Sequence, residues 1–250
     1  MLDPRHPGND TTELQLLDVI AEPFPHVLQE NFIDGEHFVQ LRDSFPECPP
    51  AAGPTGFCLY WKDSGYQQLL DANAAWRDLF HKFHSQAFVD WARQQFASEW
   101  SKAGCTIDLD KACYVPYHED RIDKQRETLR KVVLAPHELW VRMDIYQGRV
   151  GYSRGIHVDY ARRLLTMLVY FSDHDEDGMT GGELRLHAPR WKRLWRPAIT
   201  VTPRENLMTA FPCSDSSFHS VAEITAASRP RNYIQVHLSS SVAAWPRGVN

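Results

Sequence analysis

The stretch Gly151-Tyr152-Ser153-Arg154-Gly155-Ile156-His157-Val158-Asp159 sets an imidazole and a carboxylate two residues apart. In an extended segment residues i and i+2 project to the same face, so His157 and Asp159 point together. One neutral ring nitrogen and one carboxylate oxygen make two adjacent ligands for a divalent metal. A third ligand from a distant strand completes a facial set and leaves the opposite positions open for a reactant such as dioxygen. The same spacing occurs at His118/Asp120, and His174/Glu176 is a near match. His118 lies in a charged run that reads as a solvated loop. His174 sits among Asp173, Asp175, Glu176 and Asp177, which reads as an exposed acidic turn. His157 instead precedes Leu164-Leu165-Thr166-Met167-Leu168-Val169-Tyr170-Phe171, apolar on both faces as a buried central strand is.

The elements that must position this pair follow from patterning. Pro23 to Leu28 reads as a short entry strand, Gly35 to Phe45 as a helix, and the Pro/Gly-rich run Pro46 to Gly56 as a loop. Across residues 73–103, Trp76, Leu79, Phe80, Phe83, Phe88, Trp91, Ala92, Phe96 and Trp100 recur at three- and four-residue steps, which predicts amphipathic helix packed on a sheet, interrupted at Ser85. Residues 114–136 are charged and read as a loop or short exposed helix. Short β-rich runs then follow at Glu138–Gln147, Arg163–Ser172, Gly182–His187, Ala198–Thr202, Asn206–Phe211 and Asn232–Ser239. Strands at such spacing predict a sandwich or barrel. No glycine-rich phosphate loop accompanies them, which argues against a nucleotide-binding α/β fold. The expected fold class is mainly β with helical support, in one domain over 1–250: an α-helical N-terminal buttress (22–135) and a β core (136–242).

With 43% apolar and 24% charged residues, a chain of 250 residues has ample core and is not disordered. A net charge of −5 argues against general nucleic-acid binding. The five cysteines are scattered, odd in number and without a CxxC pair, so reduced thiols are expected rather than a zinc site or disulfides. No run has the length of a signal peptide or membrane span, and a cytoplasmic chain is expected.

Taken in order, the pieces from residue 138 to 240 resemble the prolyl-hydroxylase-like branch of the Fe(II)/2-oxoglutarate dioxygenases. They are Tyr146, His157-x-Asp159, the strand ending Tyr170-Phe171-Ser172-Asp173, Gly181-Gly182-Glu183-Leu184, Val201-x-Pro203, Phe211-Pro212, Phe218-His219-Ser220-Val221 and a strand opening at Arg231. The resemblance implies a double-stranded β-helix (jelly-roll) core and catalytic iron held by His157, Asp159 and His219. It implies that Arg231 anchors the distal carboxylate of 2-oxoglutarate, a fit between a planar guanidinium and a carboxylate. Arg229 is the competing cation, less favoured because it precedes Pro230 in a turn. Tyr170 would share the distal carboxylate, and Tyr146 would meet the metal-proximal end. The implied cofactors are Fe(II), 2-oxoglutarate and O2, with ascorbate as an admissible reductant. One departure is the bulky Tyr233, two residues after Arg231, where many relatives carry a small or hydroxyl residue.

The implied reaction hydroxylates an unactivated C–H bond while 2-oxoglutarate is decarboxylated to succinate. Halogenating relatives lack the carboxylate, so Asp159 favours hydroxylation. The substrate stays open among small molecules, amino acids, peptidyl residues and glycans, with the Trp/Arg segment Pro189–Arg196 as one anion- or sugar-binding candidate and a solvated hairpin as its alternative. Arg142 and Asp144 share strand parity with Tyr146 and either face the cavity or pair internally. The rival readings are a cupin-like non-oxidative metal protein, a zinc-loaded binding module, and a catalytically silent interaction domain.

Overall fold

A computed structural model describes residues 14–52, 56–119, 134–188 and 197–245. The elements in chain order are β1 (Val27–Gln29), α1 (Gly35–Asp43), β2 (Pro50–Ala52), β3 (Gly56–Leu59), α2 (Ser64–Ala72), α3 (Ala74–Phe83), α4 (Gln86–Lys102) and β4 (Cys113–Tyr114). There follow β5 (Glu138–Gly148), β6 (Arg154–His157), β7 (Arg163–Tyr170), β8 (Leu184–His187), β9 (Pro197–Val201), β10 (Met208–Pro212), β11 (His219–Val221) and β12 (Arg231–Ser239). The protein is mainly β. One antiparallel sheet runs β1-β10-β7-β12-β5-β3-β2, with β4 alongside β5, and a second runs β6-β11-β8-β9.

The large sheet is buried on both faces, which explains why β7 carries eight buried residues in a row. One set of alternating side chains, including Met143, Ile145, Met167, Val169, Ile234 and Val236, packs with the helices. The other set, with Leu168, Tyr170, Phe211 and Tyr233, meets Leu184, Leu186 and Val201 of the small sheet. The period of two thus sorts each strand into a helix-facing row and a row that faces the second sheet.

The helical stripe is packing, as the periodicity predicts: Trp76, Leu79, Phe83, Phe88, Phe96 and Trp100 are all buried in the core shared with β5, β7 and β12. Ser85 separates the two helices by capping α4, its hydroxyl accepting from the Phe88 amide. Asn73 and Asp34 cap α3 and α1 in the same way.

Two expectations are corrected. The N-terminal part is mixed, because β1, β2 and β3 join the large sheet; the run read as a loop over Pro46 to Gly56 includes β2 and leads into β3. The physical reason is that β5 would otherwise present a row of unpaired backbone groups, and β3 satisfies them in antiparallel register from Gly56↔Gly148 to Leu59↔Ile145. Nor is the stretch around His118 solvated. His118 stacks on Trp61 with ring centroids 3.9 Å apart, and Glu119 is buried. The first ten residues, Asp120 with the charged run 120–133, and the Trp/Arg segment 189–196 lie outside the described residues. Among the described residues no helix is long and apolar enough to cross a membrane.

Candidate metal centre

Strand β6 ends at His157 and pairs with β11 so that His157 stands opposite His219. This register brings together two histidines that are distant in sequence, with ring centroids 4.3 Å apart. Asp159 lies just beyond the end of β6, in the connection to β7. One ligand atom from each of His157, Asp159 and His219 falls within 4.8 Å of the others. A single ion with bonds of about 2.1 Å spans ligand atoms up to about 4.2 Å apart, so the three groups sit within about half an ångström of a shared shell.

Both imidazoles are set to offer the same nitrogen. The Nδ1–H of His157 donates to the Gly155 carbonyl at 2.8 Å, and that of His219 donates to the Ser217 carbonyl at 2.9 Å. Each bond fixes the tautomer and leaves Nε2 as the free lone pair. Burial, only partly offset by Asp159, lowers the His219 pKa to about 4, so it is neutral, the form that ligates. Asp159 is fully ionised. Burial alone would raise its pKa, but Arg163, His219 and His237 outweigh that and hold it well below the carboxylate range. Arg163 donates to Oδ1 at 2.8 Å and the Thr166 hydroxyl to Oδ2 at 2.5 Å. With that hydroxyl proton committed, His237 Nδ1–H donates to Thr166 at 3.0 Å.

A further set of buried charges runs behind the site. Glu119 pairs with Arg142 at 2.7 Å and with Arg162 at 2.5 Å, and Arg142 also pairs with Asp144 at 2.7 Å. Asp144 lies 3.4 Å from the Tyr146 hydroxyl. Arg142 and Asp144 therefore pair internally, one of the two readings their parity left open. Burial would raise the Glu119 pKa, yet Arg162 and then Arg142 hold it down at about 2. Three arginines (142, 162, 163) meet three carboxylates (119, 144, 159), so this network is electrically balanced.

Arg231 is different. It is fully buried, donates one hydrogen bond to the Tyr170 hydroxyl at 3.2 Å, and has its guanidinium 4.3 Å from the Tyr233 ring centre. Its Nε and Nη1 have no hydrogen-bond partner, and no carboxylate pairs with it among the described residues. Arg229, the competing cation, is committed to buried Asp177 at 2.5 Å. So Asp177 is no part of an exposed acidic turn, although Asp175 and Glu176 beside it are exposed. Two glycines allow close packing behind this arginine. A Cβ on Gly181 (φ +83) would stand 1.7 Å from the Glu223 carbonyl oxygen, and one on Gly182 (φ +81) would press on Met179 and reach the Arg231 stem.

His157, Asp159, His219, Arg231, Tyr146 and Tyr233 line one cavity of about 640 Å³. Tyr170 does not line it and reaches it only through Arg231. Tyr233 stacks on Tyr146 at 5.2 Å and covers Arg231, so its bulk forms a wall of the pocket. Patterning did not single out Arg162, Arg163, Glu119 or the bond from Thr166 to Asp159. The spacing of Arg163 and Thr166, four and seven residues after Asp159, becomes informative only once the turn between β6 and β7 is known.

Two antiparallel sheets surround a cavity, and two imidazoles and one carboxylate converge on its wall as a donor set that could hold one metal ion. Residues 141–238 match the model of the 2OG-Fe(II) oxygenase superfamily. No curated protein matched the sequence. Among solved structures, an oxidoreductase of the 2OG-Fe(II) oxygenase family from Burkholderia pseudomallei aligns with TM-score 0.51 and 13% identity, over 89% of this chain and 88% of that one. A prolyl 4-hydroxylase structure from Phytophthora capsici aligns with TM-score 0.50 and 15% identity over 88% of this chain, which spans 60% of that protein's length. These likenesses are of fold.

Proposed function

We propose that the protein is an Fe(II)- and 2-oxoglutarate-dependent hydroxylase with a double-stranded β-helix core. Iron would be held by Nε2 of His157, Nε2 of His219 and the Asp159 carboxylate, and the distal carboxylate of 2-oxoglutarate by Arg231. The observation that carries this reading is Arg231. A buried guanidinium with no counter-ion is costly unless an anion joins it, and it lines the same cavity as the donor set. A cupin-like isomerase or a zinc-loaded module leaves that charge without a purpose.

When bound, iron and 2-oxoglutarate would let dioxygen turn a C–H bond into an alcohol, one oxygen atom entering the product and the other the succinate formed as 2-oxoglutarate loses carbon dioxide. The chain's own residues bind, orient and insulate. Gly155 and Ser217 hold the imidazole tautomers, and Arg163 and Thr166 fix the Asp159 carboxylate. Tyr170 orients the Arg231 guanidinium, whose remaining N–H groups match a carboxylate in fork geometry. Tyr146 and Tyr233 wall the space where the cosubstrate body would lie. Protein loaded with Fe(II) and 2-oxoglutarate under nitrogen is expected to show a weak visible charge-transfer band and, in air, to release succinate. His157→Ala and Asp159→Ala should abolish both. Unchanged succinate release by either variant would remove the assignment.

A further inference from the structure

The cavity wall carries a charge opposite to that of the chain. Its described lining contains three arginines, Arg154, Arg163 and Arg231, but one carboxylate, Asp159. This leaves an excess of two positive charges in a protein whose net charge is −5. Two of the three cations have assignments. Arg163 pairs with Asp159, and Arg231 takes the distal carboxylate in the reading above, on which this inference rests. Arg154 has no assignment. It opens β6, an edge strand of the small sheet that is paired on one side only, through Val221 of β11, and its side chain is exposed. No carboxylate pairs with it among the described residues.

Much of the remaining lining is aromatic, with Val158, Leu168, Leu184 and Val221 as its aliphatic part. Phe57, Tyr60, Tyr146, Tyr152, Tyr160 and Tyr233 contribute to the wall, and Ile156 beside Arg154 is 42% exposed at its edge. Flat apolar faces with polar tips suit a planar organic body better than a sugar that needs many hydrogen-bond partners. A volume of about 640 Å³ suits a small molecule together with 2-oxoglutarate. His157 follows Arg154 by three residues, about 10 Å along the backbone; regular alternation would set them on opposite faces, but the register shift between their β11 partners His219 and Val221 offsets this, and both line the cavity. One small molecule can therefore touch Arg154 with its charged end and present a carbon beside the donor set with the other.

We infer that the substrate is an aromatic small-molecule anion whose carboxylate or phosphate is bound by Arg154 and whose ring lies against the tyrosine wall. The positive wall draws such an anion in, and the guanidinium fork orients it.

The test uses protein loaded with Fe(II) and saturating 2-oxoglutarate under nitrogen, titrated calorimetrically with benzoate, phenyl phosphate and benzamide. At least one of the two anions is expected to bind about tenfold or more tighter than benzamide, and Arg154→Gln should erase that preference. The tighter of the two identifies carboxylate or phosphate as the charged group. Equal binding of benzamide, no binding of either anion at millimolar concentration, or a preference that survives Arg154→Gln would overturn the inference. A second arm scores succinate release in air over matched pairs of aromatic acids and their amides; amides that stimulate as well as acids also overturn it. The visible band of the same loaded sample separates the two levels. Its absence in the wild-type protein means that the cofactor reading has failed, whereas a band without anion preference means that only this inference has.

Discussion

Replacing Arg231 by methionine should separate affinity from stability. Arg231 is fully buried, and its compensation comes from a hydrogen bond to Tyr170, the Tyr233 hydroxyl beside it and two tyrosine faces at 5.0 and 4.3 Å. Cation–π contacts of this kind contribute about 2 kcal/mol each when desolvated, whereas an effective desolvation cost is several kcal/mol per ion. The two nearly cancel, so Arg231→Met should change the stability of the metal-free protein by less than about 2 kcal/mol. Arg162 provides the control. It is equally buried but paired with Glu119, and Arg162→Met should cost on the order of 3–5 kcal/mol because it removes one partner of a buried pair. The ranking reverses for cosubstrate binding. Arg231→Met should lose about 2–5 kcal/mol of 2-oxoglutarate affinity, a rise in Kd of about 30- to 4,000-fold. Urea unfolding of metal-free protein reads the first quantity, and titration of the charge-transfer band under nitrogen reads the second. An Arg231→Met variant that is as destabilised as Arg162→Met, yet binds 2-oxoglutarate with wild-type Kd, would show that the cation serves the fold and that the anchor lies elsewhere.

Glu119→Gln leaves Arg142 and Arg162 under-compensated and should cost on the order of 3–5 kcal/mol at neutral pH. The Glu119 pKa falls from 4.5 to about 2 on folding, so its stabilisation is complete above about pH 4.5 and fades as pH drops toward 2. The stability gap between wild type and variant in urea melts should narrow across that window; a gap constant from pH 6 to 3 would contradict the pairing. Thr166→Val removes the donor to Asp159 Oδ2 and should weaken iron binding by about 10- to 100-fold. Thr166→Ser should restore most of it in equilibrium dialysis, and a valine variant with wild-type iron affinity would deny Thr166 any positioning role.

Some of this was legible along the chain and some was not. Whether a strand is buried on one face or both is written in its own side chains, so β5, β7 and β12 could be placed to within a residue or two, and the 3.6-residue stripe of α3 and α4 could be told from a cofactor box. The i, i+2 geometry likewise belongs to His157 and Asp159 alone. His219 joins them only because β11 pairs with β6 in one register, which no local pattern specifies. Arg229 and Arg231 differ by two positions and share a charge; Asp177, folded back from a distant turn, takes the first and leaves the second unpaired. Glu119 looked like one more charge in a solvated run, because the arginines that make its burial tolerable lie on β5 and beyond Asp159. Burial of a charge depends on partners supplied by other strands, and that information exists only once the chain has closed on itself.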